Sequence, residues 1–578
     1  MLMPKHPHRT GRSEIDQSLR VLNDRKGPWV DLSIDDRISL LEGLLGETDR
    51  LADRWVDAAC EAKGLAPDSP LAGEEWMSGP WAFLEQVEHL IGTLEALGNG
   101  TDPLQGVPVR TRPDGQVVVP VHPADPYEKV LLHGVEADVW MQPEVTPANL
   151  RDTMCRFYKE PWLDGTVTLV LGAGNISSIP PLDVLNKMFI DGSVCILKMN
   201  PVNDYLGPIF EEIFEAFIRH GFLRFAYGGR SIGEYLCQHP GVQQIHITGS
   251  ADTHDAIVYG TGREAAERKA ADDPVVDKRI TSELGGVGPA IVVPGPWTEA
   301  DLRFQAEHLA TQKIHNGGFN CVALQVLITP ARWHHADDLL MQVGRTLESL
   351  KPRLPYYPGA REAIDNIKEV YPDYKSLDPG NADTRLLITD VDPDDPDAFA
   401  FQNEFFCGAL AQTSLPSPDP ETFLREAVSF ANQRLDGTLG ANILIHPKTL
   451  REMGPVFEEI IADLHYGTIG VNAWTGVGFL LARSHWGAFP GHTRQEVGSG
   501  IGVVNNAMMF DRSQRTVIYG PFRPFPRSLL EGEPTLLPRP PWFVTHRLAD
   551  VAGRRMTRFA ADPGWRHVPG IIAAALAG

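Results

Sequence analysis

The stretch NGGFNCVALQVLI, residues 316–328, sets a thiol, Cys321, between a glycine pair and an apolar run that reads as a buried strand. Gly317 and Gly318 give the loop backbone its freedom, and the run from Val322 gives the cysteine a rigid seat. A thiol in that position is either an inert core group or a placed nucleophile, since a thiolate can attack a carbonyl carbon and can later leave from a thioester when water cleaves it. Five further cysteines, Cys60, Cys155, Cys195, Cys237 and Cys407, are scattered with no CxxC pair or metal-like spacing. Free thiols, mostly buried as small hydrophobes, are the default for such a pattern, and the count does not single one out.

Three more loops have the make-up of phosphate contacts. GAGN (172–175), KMNP (198–201) and TGS (248–250) each follow a continuous apolar run and precede a helical stretch. Glycine lets the backbone approach a phosphate, and a helix N-terminus adds N–H donors and a positive dipole end. Ser250, after Gly249, is placed as an N-cap and phosphate contact. GAGN is not the full G-x-G-x-x-G fingerprint, and alone a strand–glycine–helix turn is plain architecture. Another glycine-rich stretch, TSELGGVGP (281–289), holds a carboxylate, Glu283.

The elements that must carry these loops follow from periodicity. Residues 38–97 repeat apolar positions at three- and four-residue spacing and read as helices. Residues 116–145 switch to short β-type runs broken by Pro and Gly, which read as surface strands or arms. From 166 onward continuous apolar strands alternate with helices, and a second such series runs from 289 to 474, with the seam at 281–289. That alternation predicts an α/β fold of two parallel-sheet lobes covered on both faces. In such sheets ligands bind beyond the carboxyl ends of the strands, which is where the three loops fall.

Composition sets the class. At 578 residues two or three lobes are expected, and the apolar fraction of 43% is that of a globular chain. A net charge of -23, spread along the chain, disfavours nucleic acid and anionic membranes as partners. No stretch approaches a membrane span, and the polar start MLMPKHPHRTGRSE lacks a secretory signal and reads as a disordered tail. A cytoplasmic location is the expectation. The adjacent histidines of WHHADD cannot share a helical face, and His485 and His492 of HWGAFPGH lack further ligands, so no metal is expected.

Read in order, GAGN, ILKMNP, HITGS, SELGG, NGGFNC and NEFFCGAL resemble the aldehyde dehydrogenase superfamily over residues 166–472. The resemblance implies a dinucleotide-binding and a catalytic lobe with oligomerisation strands. It divides the chain into a tail (1–30), helices, strand arm and dinucleotide-binding domain (31–283), catalytic domain (284–475) and C-terminal return, arm and extension (476–578). It also implies NAD or NADP as cofactor, a small-molecule aldehyde as substrate and a homo-oligomer, dimer or tetramer. By position, Cys321 matches the nucleophile, Asn175 the oxyanion donor and Glu283 the general base. Lys198 matches the adenosine-ribose lysine, Gly249 and Ser250 the pyrophosphate turn, and Glu404 the glutamate on the nicotinamide ribose.

The pattern also departs from the family's. Gly174 stands where tryptophan is common, Pro201 where an acid excludes a 2′-phosphate, and His254 where a glycine would keep the pyrophosphate turn open. Cys407 and Gly408 replace glycine and proline, and the segment 489–505 replaces a glycine-rich one. The absent acid leaves both NAD and NADP open. GAGN also resembles the turn of acyl-CoA reductases in the same superfamily, where a coenzyme thiol takes the acyl group; Glu283 tells against that, because a hydrolytic base is then unnecessary. A non-catalytic binding or assembly protein is the remaining alternative, disfavoured by the complete residue set.

Overall fold

The computed structural model describes residues 6–160, 164–378, 383–530, 532–533 and 535–578. Its smaller sheet has six strands in the order Gly500–Ile501, Arg279–Leu284, Gln244–Gly249, Thr166–Leu171, Ser193–Lys198 and Leu223–Ala226. Only Gly500–Ile501 runs antiparallel to its neighbour. From Thr166–Leu171 the chain steps outward twice, then returns to add Gln244–Gly249 on the other side. This reversal opens a crevice at the carboxyl ends of those two strands, where GAGN and TGS lie.

The larger sheet has eleven strands. Ser513–Tyr519, Thr468–Val471, Gly440–Leu444, Gly288–Val292, Leu324–Pro330, Gly408–Leu415 and Arg385–Ile388 are parallel neighbours in that order. Antiparallel strands extend both ends: Glu136–Met141, Val117–His122 and Arg110–Thr111 on one, Lys375–Ser376 on the other. Arg279–Leu284 belongs to the small sheet and Gly288–Val292 to the large one. Glu283 therefore stands at the junction. Cys321 reaches the same junction from the other lobe, in the loop between the helix Glu299–Ile314 and the strand Leu324–Pro330.

Two expectations are corrected here. The disordered tail over 1–30 is instead, from residue 12, a helix, α1 (Arg12–Val30), which buries Ile15, Leu19, Leu22 and Trp29. Those positions keep helical spacing, and Trp29 meets Phe189 edge-on at 5.4 Å, so the segment pays its ordering entropy with aromatic burial. Residues 1–5 of the tail lie outside the described residues. The strands at 117–122 and 136–141, expected as a surface arm, lie inside the chain's own large sheet with nearly every residue buried. Their runs, VVVPVH and EADVWM, lack alternation because both faces are covered.

Helices α2 (Ile34–Ala62), α3 (Ala72–Trp76) and α4 (Ala82–Gly98) precede the sheets. Ser33 caps α2 by accepting from the Asp36 N–H. A π-helical turn, Met77–Trp81, joins α3 to α4 and contains Gly79 and Pro80, which interrupt the regular ladder. A short helix, α5 (Pro126–Leu131), starts at Asp125, whose carboxylate accepts from the Glu128 N–H. The segment beyond the large sheet ends in two helices, Ala549–Ala561 and Val568–Ala577. The first packs on α3 so closely that a Cβ on Gly73 would meet the Ala549 backbone at 2.4 Å. No described helix is long and apolar enough to cross a membrane.

Candidate active site

A cleft of about 840 Å³ runs along the junction, and its wall includes Asn175, Lys198, Gly249, Ser250, Glu283, Cys321 and Glu404. Each is held by a short-range rule. Lys198 ends its strand, and its carbonyl accepts from the Gly172 N–H at 3.1 Å, tying KMNP to GAGN. Ser250 caps the helix Ala251–Tyr259 by accepting from the Thr253 N–H at 3.2 Å. Asn175, buried, donates from Nδ2 to the Phe319 carbonyl at 3.0 Å, two residues before Cys321. An amide nitrogen carries two hydrogens, so one N–H remains for another acceptor.

Glycine is required at two approaches to the carboxylates. A Cβ on Gly285 would stand 2.1 Å from a Glu404 oxygen, so only glycine lets Glu404 lie over the ELGG turn. Gly500, at φ +124, comes from the divergent segment 489–505 and pairs with Glu283 across the sheet. A Cβ there would meet the Ser282 carbonyl at 2.3 Å. The replacement segment thus still braces the strand that carries Glu283.

Burial sets the electrostatics. It raises the Glu283 pKa to about 8, with the Asp183 carboxylate adding to the rise, against hydrogen bonds to Cys321 and Trp486. Burial likewise takes Glu404 to about 8, Lys313 opposing and Glu283 adding. The Cys321 thiol is pushed well above its usual range by burial and by the charges of Glu283 and Glu404. One oxygen of Glu283 and one of Glu404, both Oε1, are buried with no hydrogen-bond partner. Two carboxylates with open lone pairs, facing one cleft beside a thiol, form a site short of donors.

Behind the loop that carries Cys321 the buried carboxylates are paired with cations. Lys63, just past the end of α2, donates to Glu75 Oε1 at 2.7 Å, to Asn316 Oδ1 at 2.9 Å and to the Asn175 carbonyl at 3.2 Å. Asn316 Nδ2 donates to the same Asn175 carbonyl at 3.0 Å and to the Phe319 carbonyl at 3.1 Å. Glu74 accepts from the Asn316 N–H at 3.1 Å and from Arg353 at 2.6 Å. Burial alone would lower the Lys63 pKa, but the Glu75 charge overrides it and raises it. In the same way Arg353 outweighs burial at Glu74 and lowers its pKa. The network holds a left-handed stretch, Asn316 at φ +55, Gly317 at +70 and Gly318 at +89, in one shape.

Cys321 also borders a second space, a chamber of about 40 Å³ walled by Ile176, Ile179, Trp474, Phe479, Trp486 and Trp542. Phe479 and Trp486 meet edge-on at 5.5 Å. Trp542 belongs to the C-terminal segment and Met77 of the π-helical turn joins the wall, so both chain ends shape this space.

All seven expected residues come together, and one reading is corrected. His254 does not crowd the TGS turn: it is fully buried, with its Nδ1 on Asp255 at 3.1 Å, and forms no part of the cleft wall. Its place one turn into the helix sends the side chain to the core face. Gly174 has a packing reason, since a Cβ there would meet Val202 at 2.8 Å and Asn200 at 2.9 Å. Cys407 is a fully buried core thiol, and its carbonyl lies under Gly318. Missed altogether were Lys63, Glu74, Glu75 and Asp183. The one available signal was Asn316, within the quoted NGGFNC, as a polar residue before a glycine pair.

Residues 133–358 match the model of the aldehyde dehydrogenase family. Aldehyde dehydrogenase LUC3 of Fusarium is 30% identical over 168 residues, 28% of this chain and 32% of that protein. Aminoacetaldehyde dehydrogenase of Pseudomonas aeruginosa is 29% identical over 224 residues, 36% of this chain and 41% of that one. The chain thus spans less than half the length of these relatives. Among solved structures, a Mycobacterium tuberculosis aldehyde dehydrogenase with NAD⁺ aligns over 89% of this chain and 93% of its own, with a TM-score of 0.57 at 16% identity. A Methanocaldococcus jannaschii glyceraldehyde-3-phosphate dehydrogenase with NADP aligns over 89% and 96%, with a TM-score of 0.55 at 14% identity. Residues 133–358 are thus similar in sequence to the aldehyde dehydrogenase family, and the two lobes share the fold of these solved structures.

Proposed function

We propose that this chain oxidises an aldehyde to a carboxylic acid with NAD or NADP, through a thioester on Cys321. The observation that carries the reading is the position of Cys321 on the wall shared by a large cleft and a small apolar chamber, hydrogen-bonded to Glu283. The cleft suits a dinucleotide. Gly249 and Ser250 sit at a helix N-terminus for a pyrophosphate, and the open Oε1 of Glu404 suits the hydroxyls of a ribose. Lys198, Arg230 and Glu234 stand in the same wall. Glu234 suits an adenosine ribose and Arg230 a 2′-phosphate, so both cofactors fit. When bound, the nicotinamide supplies the hydride acceptor.

The residues then divide the work. Glu283 takes the Cys321 proton, and the sulfur adds to the aldehyde carbon. The free N–H of Asn175 and the Cys321 backbone N–H receive the oxyanion. Once the thioester has formed, Glu283 passes that proton to solvent and, again a carboxylate, removes one from water, whose attack cleaves the thioester to free acid and releases the Cys321 thiolate to be reprotonated. The apolar chamber takes the aldehyde's carbon chain and keeps bulk water from the thioester. A homo-oligomer belongs to the same reading and is checked by light scattering.

The test is product identity from an aldehyde panel with each cofactor, with and without CoA. Free acid formed without CoA supports the proposal. Turnover that requires CoA and yields acyl-CoA would replace it, and absence of turnover with cofactor bound would leave a binding protein.

A further inference from the structure

A second cluster of titratable groups lies away from the cleft, where α4 meets α5. Glu85 and His89 are four residues apart on α4 and so share a face, and Glu128 joins them from α5. One donor atom from each, taken together, lie within 4.8 Å of one another. His89 Nε2 is 3.2 Å from Glu128 Oε1 and 3.8 Å from Glu85 Oε2. Donors placed 2.0–2.2 Å from a tetrahedral centre stand roughly 3.3–3.6 Å apart, and the two separations fall just to either side of that range.

The atoms that converge are those left over by a second set of contacts. Glu85 Oε1 accepts from Trp81 Nε1 at 2.9 Å, and Glu128 Oε2 is 3.1 Å from His122 Nδ1 and also accepts from the Ala124 N–H. Each carboxylate is thereby oriented by one oxygen and presents the other, as outer hydrogen bonds orient metal ligands. The three donors line a cavity of about 50 Å³. His122, 4% exposed, lines it too, and its Nε2 is buried with no partner. Glu88, Asp125 and Arg483 complete the charged part of the wall, one positive against two negative.

We propose that Glu85, His89 and Glu128 bind one first-row divalent cation of the zinc class, clipping α4 to α5. Imidazole selects zinc-like ions over magnesium or calcium, and the cavity leaves room for a water as fourth ligand. None of these titratable groups lines the cleft or the chamber at Cys321. The cation therefore acts on stability, and aldehyde turnover does not depend on it. The sequence reading expected no metal after weighing only the histidines of WHHADD and HWGAFPGH; Glu128 is 39 residues from His89, and nothing local joins them.

The test uses the full chain, stripped with chelator and titrated with Zn²⁺, Mn²⁺, Mg²⁺ or Ca²⁺ by calorimetry and thermal melting. About one zinc per chain should bind, with a rise in Tm, and Glu85→Gln and His89→Gln should each weaken binding tenfold or more. Mg²⁺ and Ca²⁺ should give no comparable shift. Glu128 also holds His122, so Glu85→Gln is the variant that leaves those contacts intact. Absence of zinc-dependent heat and Tm rise in the unaltered chain overturns the proposal and leaves an ion-paired His89. Zinc binding that survives Glu85→Gln and blocks turnover would assign the metal to Cys321 instead, and equally overturns it.

Discussion

The loop that carries Cys321 has two faces, and buried charge is handled differently on each. On the cleft face Glu283 and Glu404 each keep a buried oxygen without a partner, and both pKa values rise to about 8. On the rear face Lys63 has three acceptors and Glu74 two donors, and charge pairing overrides burial in both. The groups are similar and the depth is similar; what differs is whether the fold supplies a hydrogen-bonded counter-charge. The rear is an ion-paired network that fixes geometry, although Glu74 Oε1, Glu75 Oε2 and Arg353 Nη2 also lack a hydrogen bond. The front carboxylates have no hydrogen-bonded cation and raised pKa values, a pattern that fits the proposed site.

The comparison breaks most sharply at the thiol. Cys321→Ala should abolish aldehyde turnover, by on the order of 10⁴-fold or more, with cofactor binding retained. Residual turnover near the normal rate would move the nucleophile elsewhere. Glu283→Gln should slow thioester hydrolysis by about 10²–10⁴-fold, so that acyl-enzyme accumulates in intact-mass spectra. The pH dependence has a definite sign. Folding favours the neutral carboxyl, since its pKa rises from 4.5 to about 8. That contribution is complete below pH 4.5 and is lost as pH rises to about 8. Deacylation should therefore climb with pH toward 8, while Glu283→Gln should gain stability over the unaltered chain across the same window. A flat deacylation profile in the unaltered chain would remove Glu283 from the base role.

The rear face gives a smaller effect. Lys63→Met leaves Glu75 buried without its cation, at about 3–5 kcal/mol, and frees Asn316 and the Asn175 carbonyl. Because Lys63 touches no substrate atom, kcat should fall while cofactor Kd stays within a few-fold. Lys63→Arg, which keeps the charge, should restore stability before it restores kcat. If the Met variant lost stability with kcat intact, the network would be scaffolding alone.

How much of this was legible beforehand follows from range. The front face could be read because turn, strand and residue type are local signals, and because GAGN, TGS, SELGG and NGGFNC, each weak alone, occur in the order of the family they resemble. The rear face depends on Lys63 meeting Asn316 across 253 residues, and no spacing within α2 distinguishes Lys63 from a solvated lysine. The helix at 12–30 was hidden by a polar lead-in, and the strands at 117–141 by covering elements far along the chain. His254 was misjudged by position in a motif, when one helical turn decided its direction.

The chamber gives the finest test of the front face. Trp542 comes from the segment beyond the large sheet, outside the matched residues 133–358, yet it closes the space beside Cys321. Under the proposed function, a volume of about 40 Å³ walled by indoles and aliphatic groups would select short apolar aldehydes by exclusion rather than by a specific contact. Removing the indole should then admit longer chains without harming short ones. With each buried methylene worth about 0.8 kcal/mol, Trp542→Ala should lower KM by roughly tenfold for an aldehyde two carbons past the normal limit. The shortest substrates should change less than threefold, because their carbonyl still meets Cys321 and Asn175. An unaltered chain-length profile would mean that Trp542 is packed there for stability and that the limit is set deeper, at Trp474 or Phe479.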